Sequence, residues 1–184
     1  MEKREFERTT RKRTTMIQVF QYPHETLELV STPFDFSKDK IPHYDDLEKF
    51  EADMVSAMID ANGMGLAANQ IGITKRFFAI GHDTFDTFKK NAIIWNPLIK
   101  KHSKEKVFDV EGCLSFPDIW IQVERPKQIE VQYETTQSET KTATLDGMES
   151  KCFQHELDHL DGITFNSRVS KLKWDMAKKK AGKK

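Results

Sequence analysis

The chain has 184 residues and a formal net charge of zero; 38% of the residues are hydrophobic and 32% are charged. This length suits one domain with a moderate core, and the zero net charge gives no general attraction to nucleic acid, so we expect no DNA partner. The presence of only two cysteines excludes a disulfide scaffold and favours a reducing compartment. We expect no membrane span, because the sequence has no long apolar run, and no secretory signal, because the N-terminus has no apolar segment.

The two ends of the chain are more charged than its middle. Residues 1–15 are polar and Arg-rich, and residues 171–184 are Lys-rich. We expect a flexible N-terminal extension over residues 1–15, a single domain over residues 16–170 and a basic C-terminal tail over residues 171–184. A basic tail can contact ribosomal RNA through the phosphates, but a solvated tail that aids solubility is the favoured interpretation.

The clearest helix is predicted over residues 44–62. Its apolar residues recur at steps of three and four, which gives one apolar face. Asp45 and Asp46 place negative charge in the first turn, where the helix dipole favours it, and Gly63 is expected to end the helix. The apolar face consists of Leu47, Phe50, Met54, Met58 and Ala61.

Short β-like runs separated by turn residues make up most of the remaining chain. The run IQVFQYP alternates and stops at Pro23, and TPFDF and IPHY are predicted loops. The predicted strands after the helix are RFFAI, NAIIWNP (closed by Asn96-Pro97), KVFDVEGCLSFP, IWIQV, QIEVQY and KTATL. This pattern predicts an α+β fold with mainly antiparallel β-sheets around a central helix.

A second helix is predicted over residues 148–160, and Gly162 stops it. It carries the sequence QHELDH, in which His155 and His159 are four residues apart and can reach one metal ion from the same face. Glu156 is rotated by about one hundred degrees, where it can act as a base beside the metal without binding it. A charged helix end that happens to contain two histidines is the alternative.

A catalytic metal site of this kind usually has a third protein ligand and one open position. The metzincin class is excluded, because the continuation HELDHLDGITF lacks its third histidine. Cys152 has suitable chemistry but would strain the site from its place one turn before His155, so a small buried core residue is favoured. Cys113, in EGCLSFP, would complete a Cys-His-His set; taken alone, a core cysteine is the better interpretation.

The stretch GMGLAANQIG, residues 63–72, combines closely spaced glycines, small residues and Gln70, which indicates a tight approach of the backbone to a ligand. A phosphate-binding loop is the alternative. It has little support, because no Lys-Ser/Thr pair follows and Ala68 breaks the GxGxxG pattern.

The stretches GMGLAANQ, EGCLS and QHELDH, in this order, resemble the GxGLAAxQ, EGCxS and HExxH motifs of peptide deformylases without a gap. Each motif alone is weak evidence, whereas three in the right order are highly specific. The resemblance runs from about residue 17 to residue 169 and points to short-tailed members of bacterial or phage type. It implies a fold in which mainly antiparallel β-sheets surround a central HExxH helix.

The resemblance implies that Cys113, His155 and His159 bind one divalent metal ion, with water in the fourth position. Ferrous iron (Fe2+) is often the physiological ion in this family, and Zn2+, Ni2+ or Co2+ can occupy the same site. The metal lowers the pKa of the water, and Glu156 takes the proton and passes it to the departing nitrogen.

The implied reaction removes the N-terminal formyl group from formyl-methionyl nascent polypeptides and releases formate. The amide of Gln70 and the backbone N–H of Leu114 are the implied oxyanion donors. The substrate main chain is expected to pair with the loop at Met64 and Gly65. Its methionine side chain is expected to enter an apolar pocket with walls at Met64, at Met148 and at the helix flank around Cys152 and His155.

Three charged residues near the implied site carry further expectations. Glu111 and Arg125 are expected to form an ion pair that steadies the Cys113 loop; two unrelated surface charges are the alternative, and an exposed pair would contribute little. Lys151 stands where many relatives carry an aliphatic residue near the pocket. We expect its stem to pack and its ammonium group to reach water; the alternative is an inward-pointing side chain, which would argue against a preference for methionine.

The implied partners are N-formylmethionyl peptides and nascent chains, with ribosome contact left open and no membrane. We expect a cytoplasmic location in a bacterium or a phage-infected cell, with an organelle as the alternative. A deformylase-like protein that binds nascent chains without catalysis is disfavoured by the complete set of site residues. A gluzincin-like endoprotease is disfavoured because its distal glutamate is not evident in the sequence.

Overall fold

A computed structural model describes residues 17–182, and the extension predicted over residues 1–15 lies outside the described residues. The described part contains three α-helices and seven β-strands. Their bounds are α1 Leu47–Asp60, β1 Gly65–Ala67, β2 Phe77–Ile80, β3 Ala92–His102, β4 Lys106–Cys113, β5 Phe116–Pro126, β6 Gln128–Glu134, β7 Thr140–Asp146, α2 Gly147–Leu160 and α3 Lys171–Ala181. None of these helices has the length and apolar character needed to cross a bilayer.

Every pairing between these strands is antiparallel. Five strands form a sheet in the order β1-β2-β3-β6-β7, and β4 pairs with β5 in a separate hairpin. Helix α1 packs on β2 and β3, and α2 packs on β1, β2 and β7. The prediction of an α+β fold with mainly antiparallel β-sheets is confirmed, and the packing of the HExxH helix α2 on the sheet is consistent with its predicted central place.

Helix α1 begins after a capping aspartate and ends at Asp60, three residues before the predicted stop at Gly63. The side chain of Asp46 accepts a hydrogen bond from the backbone N–H of Glu48. At the other end Asn62 adopts the left-handed conformation (φ 56°), which Asn tolerates better than most residues. A Cβ on Gly63 would lie 2.8 Å from Cδ1 of Leu114, so Gly63 is required for close packing instead.

Strand β3 continues past the predicted stop at Asn96-Pro97. Asn96 has a φ of 48°, and the register with β6 shifts between Trp95 and Leu98. The dipeptide therefore forms a β-bulge, which bends a strand without ending it. The side chain of Asn96 holds this bulge by accepting a hydrogen bond from the N–H of Phe34 (2.7 Å).

The alternating run at residues 17–23 does not join either sheet. Its backbone bonds to two loops instead: the N–H of Phe20 donates to the carbonyl of Gln70 (2.7 Å), and the N–H of Tyr22 donates to the carbonyl of Ser115 (2.9 Å). This segment therefore lies against the GMGLAANQIG and EGCLS stretches and connects them.

Helix α2 is buried although most of its side chains are polar or charged. Phe153 packs edge-on against Phe78 of β2, with ring centroids 5.0 Å apart, and Gly162 (φ 69°) ends the helix as predicted. Charged residues are rarely buried unless they are paired, so the buried polar residues of this helix are candidates for a functional site. Its buried polar residues are Glu149, Ser150, Lys151, Gln154, His155, Glu156, Asp158 and His159.

Helix α3 forms most of the predicted basic tail. Its eleven residues make about three turns. Trp174 packs on Phe116 and Phe165, with ring centroids 5.7 and 6.0 Å away, and the side chain of Ser170 caps the first turn. The helix is therefore tied to β5 through one aromatic residue.

Truncation of Met54 will test the buried face of α1. Met54 is fully buried, whereas Ile59 on the same helix is 51% exposed. We expect Met54→Ala to lower the free energy of unfolding by about 2–5 kcal/mol, because it leaves a cavity in the core, and Ile59→Ala to lower it by less than about 1 kcal/mol. Urea unfolding followed by circular dichroism measures both, and equal losses would contradict the assigned faces.

Candidate metal centre

Three side chains with metal-binding chemistry converge where the end of β4 meets α2. The ligand atoms of Cys113, His155 and His159 all lie within 4.8 Å of one another, and Cys113 Sγ is 3.2 Å from Nε2 of His159. The helical spacing of the two histidines puts both rings on one face, and the strand end brings the sulfur to them. A sulfur and two imidazole nitrogens at such distances can hold one divalent transition metal.

The protonation preferences of the two histidines fit a cation site. Burial lowers the pKa of His159 well below its usual value, so its ring is neutral and can offer a nitrogen as ligand. Burial also lowers the pKa of His155, but hydrogen bonds with Cys113 and Glu111 outweigh burial and raise the pKa. The groups around His155 therefore stabilise positive charge at this place.

Cys152 does not join this group. Its Sγ donates to the backbone carbonyl of Met64 (3.4 Å), and the residue is buried. Burial raises the pKa of the Cys152 thiol well above its usual value, so the thiol stays protonated and is a poor ligand. These contacts agree with the interpretation of Cys152 as a small core residue.

The expected ion pair between Glu111 and Arg125 is present, and it is buried rather than exposed. Arg125 donates to both carboxylate oxygens of Glu111 and, through Nη1, to Asp158 (2.8 Å). Glu111 Oε2 also lies 2.9 Å from Nδ1 of His155, which leaves Nε2 of that ring for a metal. Burial raises the pKa of Glu111, but the hydrogen bonds from His155 and Arg125 outweigh burial and bring the pKa to about 2.

Glu156 lies beside the convergent side chains in a tight space. Its Oε2 is buried and has no hydrogen-bond partner among the residues that the structure describes. The backbone of Gly65 on β1 passes so close that a Cβ there would lie 2.2 Å from Glu156 Oε1. Burial raises the pKa of Glu156 to about 7. A carboxyl group with this pKa can take up and release a proton near neutral pH.

The amide of Gln70 is held at both ends. Its Oε1 accepts from the N–H of Ala67 (2.8 Å), and its Nε2 donates to Ser115 Oγ (3.0 Å) and lies 3.7 Å from Cys113 Sγ. The hydroxyl of Ser115 in turn donates to the carbonyl of Phe20 (2.7 Å). Sequence reasoning missed this role of Ser115, although the residue is the serine of the EGCxS motif.

A cavity of about 280 Å³ opens beside the convergent side chains. Met64 and Leu114 line it together with Cys152 and Glu156. Met148, which was predicted as a wall of the pocket, lies outside this lining and is 44% exposed. The cavity is therefore bounded by the loop after α1, the β4–β5 hairpin and the middle of α2.

Lys151 forms part of the wall of this cavity, and its ammonium group is not in water as expected. Its side chain is only 11% exposed. Nζ lies 2.5 Å from Asp109 Oδ2 and 3.3 Å from the carbonyl oxygen of Val110. Strand β4 thus supplies the polar contacts that water was expected to provide.

A family model described as polypeptide deformylase matches residues 16–175. The peptide deformylase of Rhizobium meliloti is 37% identical to this chain over 154 residues, which cover 84% of this chain and 85% of the relative. The range matched by the family model, residues 16–175, contains all three of the motifs quoted above.

Two solved structures are similar to this fold. A Synechococcus elongatus peptide deformylase in complex with actinonin has a TM-score of 0.81 and 29% identity, and the match covers 92% of this chain and 90% of that chain. A Met-Ala-Ser bound peptide deformylase from Acinetobacter baumannii has a TM-score of 0.74 and 31% identity, with 83% and 98% covered. The chain therefore belongs to the peptide deformylase family, whose members are metalloenzymes that remove the formyl group from the N-terminus of nascent polypeptides.

Proposed function

We propose that Cys113, His155 and His159 bind one divalent metal ion and that Glu156 carries the proton in hydrolysis of the formyl amide bond. The convergence of the three ligand atoms within 4.8 Å, next to a buried carboxylate oxygen without a partner in the described residues, is the observation that supports this most directly. Ferrous iron is the proposed native ion, and zinc, nickel and cobalt suit the same donors. When bound, the metal acts as a Lewis acid that activates the attacking water.

Glu156 transfers the proton in this proposal. With a pKa of about 7, it accepts the proton of the attacking water as the new C–O bond forms. It then gives the proton to the nitrogen as the C–N bond breaks, so that formate and a free N-terminal amine leave. The amide of Gln70 and the backbone N–H of Leu114 donate to the formyl oxygen as it becomes negative. Ser115 fixes the Gln70 amide, so this donor is preorganised.

The proposed substrate is the N-terminus of a formyl-methionyl nascent chain. Its methionine side chain enters the cavity beside Met64, and its main chain pairs with β1 at Gly65, because β1 is at the edge of its sheet. The Met-Ala-Ser bound relative supports a peptide of this class as ligand. Met148 lies outside the cavity lining, so we propose it only for the outer rim.

The proposed catalytic domain spans residues 16–170. The proposed location is the cytoplasm of a bacterium or a phage-infected cell, where formylated chains are made. For α3 a solvated helix is the first interpretation, and contact with ribosomal RNA is the alternative. The alternative is supported by the lysines in the last turn of α3, which can attract phosphates.

Metal analysis and a formyl-peptide assay on the same anaerobically prepared protein test the proposed function. We expect a single bound divalent ion for each chain and release of formate from formyl-Met-Ala-Ser. Full metal occupancy without formate release would favour a protein that binds nascent chains without catalysis. Cleavage of casein would favour an endoprotease instead.

Replacement of Glu156 by glutamine removes the proposed proton carrier. We expect kcat for formyl-Met-Ala-Ser to fall by about 10²–10⁴-fold, because general acid–base catalysis contributes that much, while the metal content stays unchanged. Glu48→Gln, at an exposed position on α1, is the control and is expected to keep full turnover. Turnover retained in Glu156→Gln would remove Glu156 from the mechanism.

Replacement of Glu111 by glutamine tests the buried ion pair. The variant leaves Arg125 without its bidentate partner and weakens the hold on His155. We expect the free energy of unfolding to fall by about 3–5 kcal/mol and the metal affinity to fall by about 10–100-fold.

Urea unfolding and competition with a chelator measure these two effects. Glu124→Gln is the matched control, because Glu124 lies on the same hairpin in an exposed ion pair with Lys106. We expect it to change stability by less than about 1 kcal/mol. The same small change in Glu111→Gln would show that the buried pair does not support the site.

A further inference from the structure

A cation lies in the wall of a cavity that is proposed to receive an uncharged, apolar side chain. Lys151 lines this cavity next to Cys152 and His155, and its side chain is 11% exposed. A buried ammonium group loses much of its hydration, so it requires a counter-charge or other polar acceptors. An unpaired cation at this place would favour an acidic side chain in the cavity over a neutral one.

Asp109 on β4 supplies the counter-charge. Its Oδ2 lies 2.5 Å from Lys151 Nζ, and the carbonyl of Val110 adds a second acceptor at 3.3 Å. The hydrogen bond with Lys151 lowers the pKa of Asp109, so the carboxylate stays ionised. The two partners differ in exposure: 52% of the Asp109 side chain is exposed, against 11% for Lys151. If the ion pair is broken, water can therefore solvate the Asp109 carboxylate far better than it can solvate the Lys151 ammonium group.

We propose that Asp109 is a specificity-determining residue, which neutralises the ammonium group of Lys151 and thereby keeps the pocket for the first side chain selective for uncharged residues. This inference rests on the proposed function, because it concerns the side chain that follows the formyl group. Lys151 contributes a cation to the wall of the cavity, and Asp109 decides whether that cation is neutralised. Loss of Asp109 leaves a buried positive charge at the pocket, whereas loss of Lys151 leaves a solvated negative charge.

A purely structural role of the ion pair makes a different prediction. The pair also ties β4, which carries Glu111 and Cys113, to α2, which carries His155. Loss of a structural tie would change kcat, metal content or stability to the same extent for every peptide. Selectivity between two peptides of equal size and different charge separates the two roles, because only a change in the charge of the pocket alters it.

The experiment compares kcat/KM for formyl-Glu-Ala-Ser and formyl-Gln-Ala-Ser, with formyl-Met-Ala-Ser as reference. We expect Asp109→Asn to raise the Glu-to-Gln ratio by about tenfold relative to the wild type, because the unpaired ammonium group attracts the acidic side chain. Lys151→Met is expected to lower the ratio below that of the wild type. The double variant restores the charge balance and is expected to return the ratio to within about twofold of the wild type.

Glu124→Gln is the control, because it also replaces a carboxylate by an amide on the same hairpin. Glu124 belongs to an exposed ion pair with Lys106 and does not line the cavity. Its Glu-to-Gln ratio is expected to stay within about twofold of the wild type. An unchanged ratio in Asp109→Asn, or an equal change in kcat/KM for all three peptides, would overturn the proposal.

A failure of the proposed function can be told apart from a failure of this inference. A wild-type protein that releases no formate from formyl-Met-Ala-Ser would contradict the proposed function alone. Calorimetric Kd values of Met-Ala-Ser, Gln-Ala-Ser and Glu-Ala-Ser then test the inference without catalysis. A rise in the affinity for Glu-Ala-Ser relative to Gln-Ala-Ser in Asp109→Asn would support the inference. The same relative affinity as in the wild type, or no binding of any peptide, would overturn it.

Discussion

The buried ion pair between Glu111 and Arg125 is the interaction on which the arrangement of the site depends. Removing two charges from water costs several kcal/mol for each, and the bidentate geometry with an added bond to Asp158 offsets that cost. Loss of Glu111 would leave the buried Arg125 with Asp158 alone, and loss of Arg125 would leave the buried Glu111 with His155 alone. The position of the pair is therefore fixed, and Nδ1 of His155, 2.9 Å from Glu111, is fixed with it.

The same pair holds together the two elements that supply the proposed metal ligands. Glu111 lies on β4, Arg125 lies on the partner strand β5, and Asp158 lies on α2. Cys113 follows Glu111 by two residues on β4, so the bonds that hold Glu111 against α2 also bring the sulfur within 3.2 Å of His159. The buried ion pairs thus help to set the distance between Cys113 and His159, which the geometry of a strand and a helix alone does not determine.

Local patterns predicted most of the fold, and they failed where a feature depends on a distant partner. The HExxH spacing predicted that two histidine rings lie on one helix face. Residue patterns alone favoured Cys113 as a core residue, and only the order of the three motifs implied that it is a metal ligand. Lys151 meets Asp109, which is 42 residues away, and Ser115 meets Phe20, which is 95 residues away. No periodicity marks such pairs, because they arise from how the β4–β5 hairpin packs on α2 and how the N-terminal segment packs on that hairpin.

The partners of the buried polar groups on α2 decide between a charged helix face and a catalytic one. Glu149 accepts from the N–H of Phe88 (2.6 Å), and Gln154 donates to a backbone carbonyl (2.9 Å). Two buried atoms of this helix lack a partner in the described part of the chain, namely Glu156 Oε2 and His159 Nδ1. An unsatisfied buried atom costs about 1–3 kcal/mol, so packing stability alone does not account for Glu156. Glu156 also lines the cavity, where the proposed proton carrier would meet water and substrate.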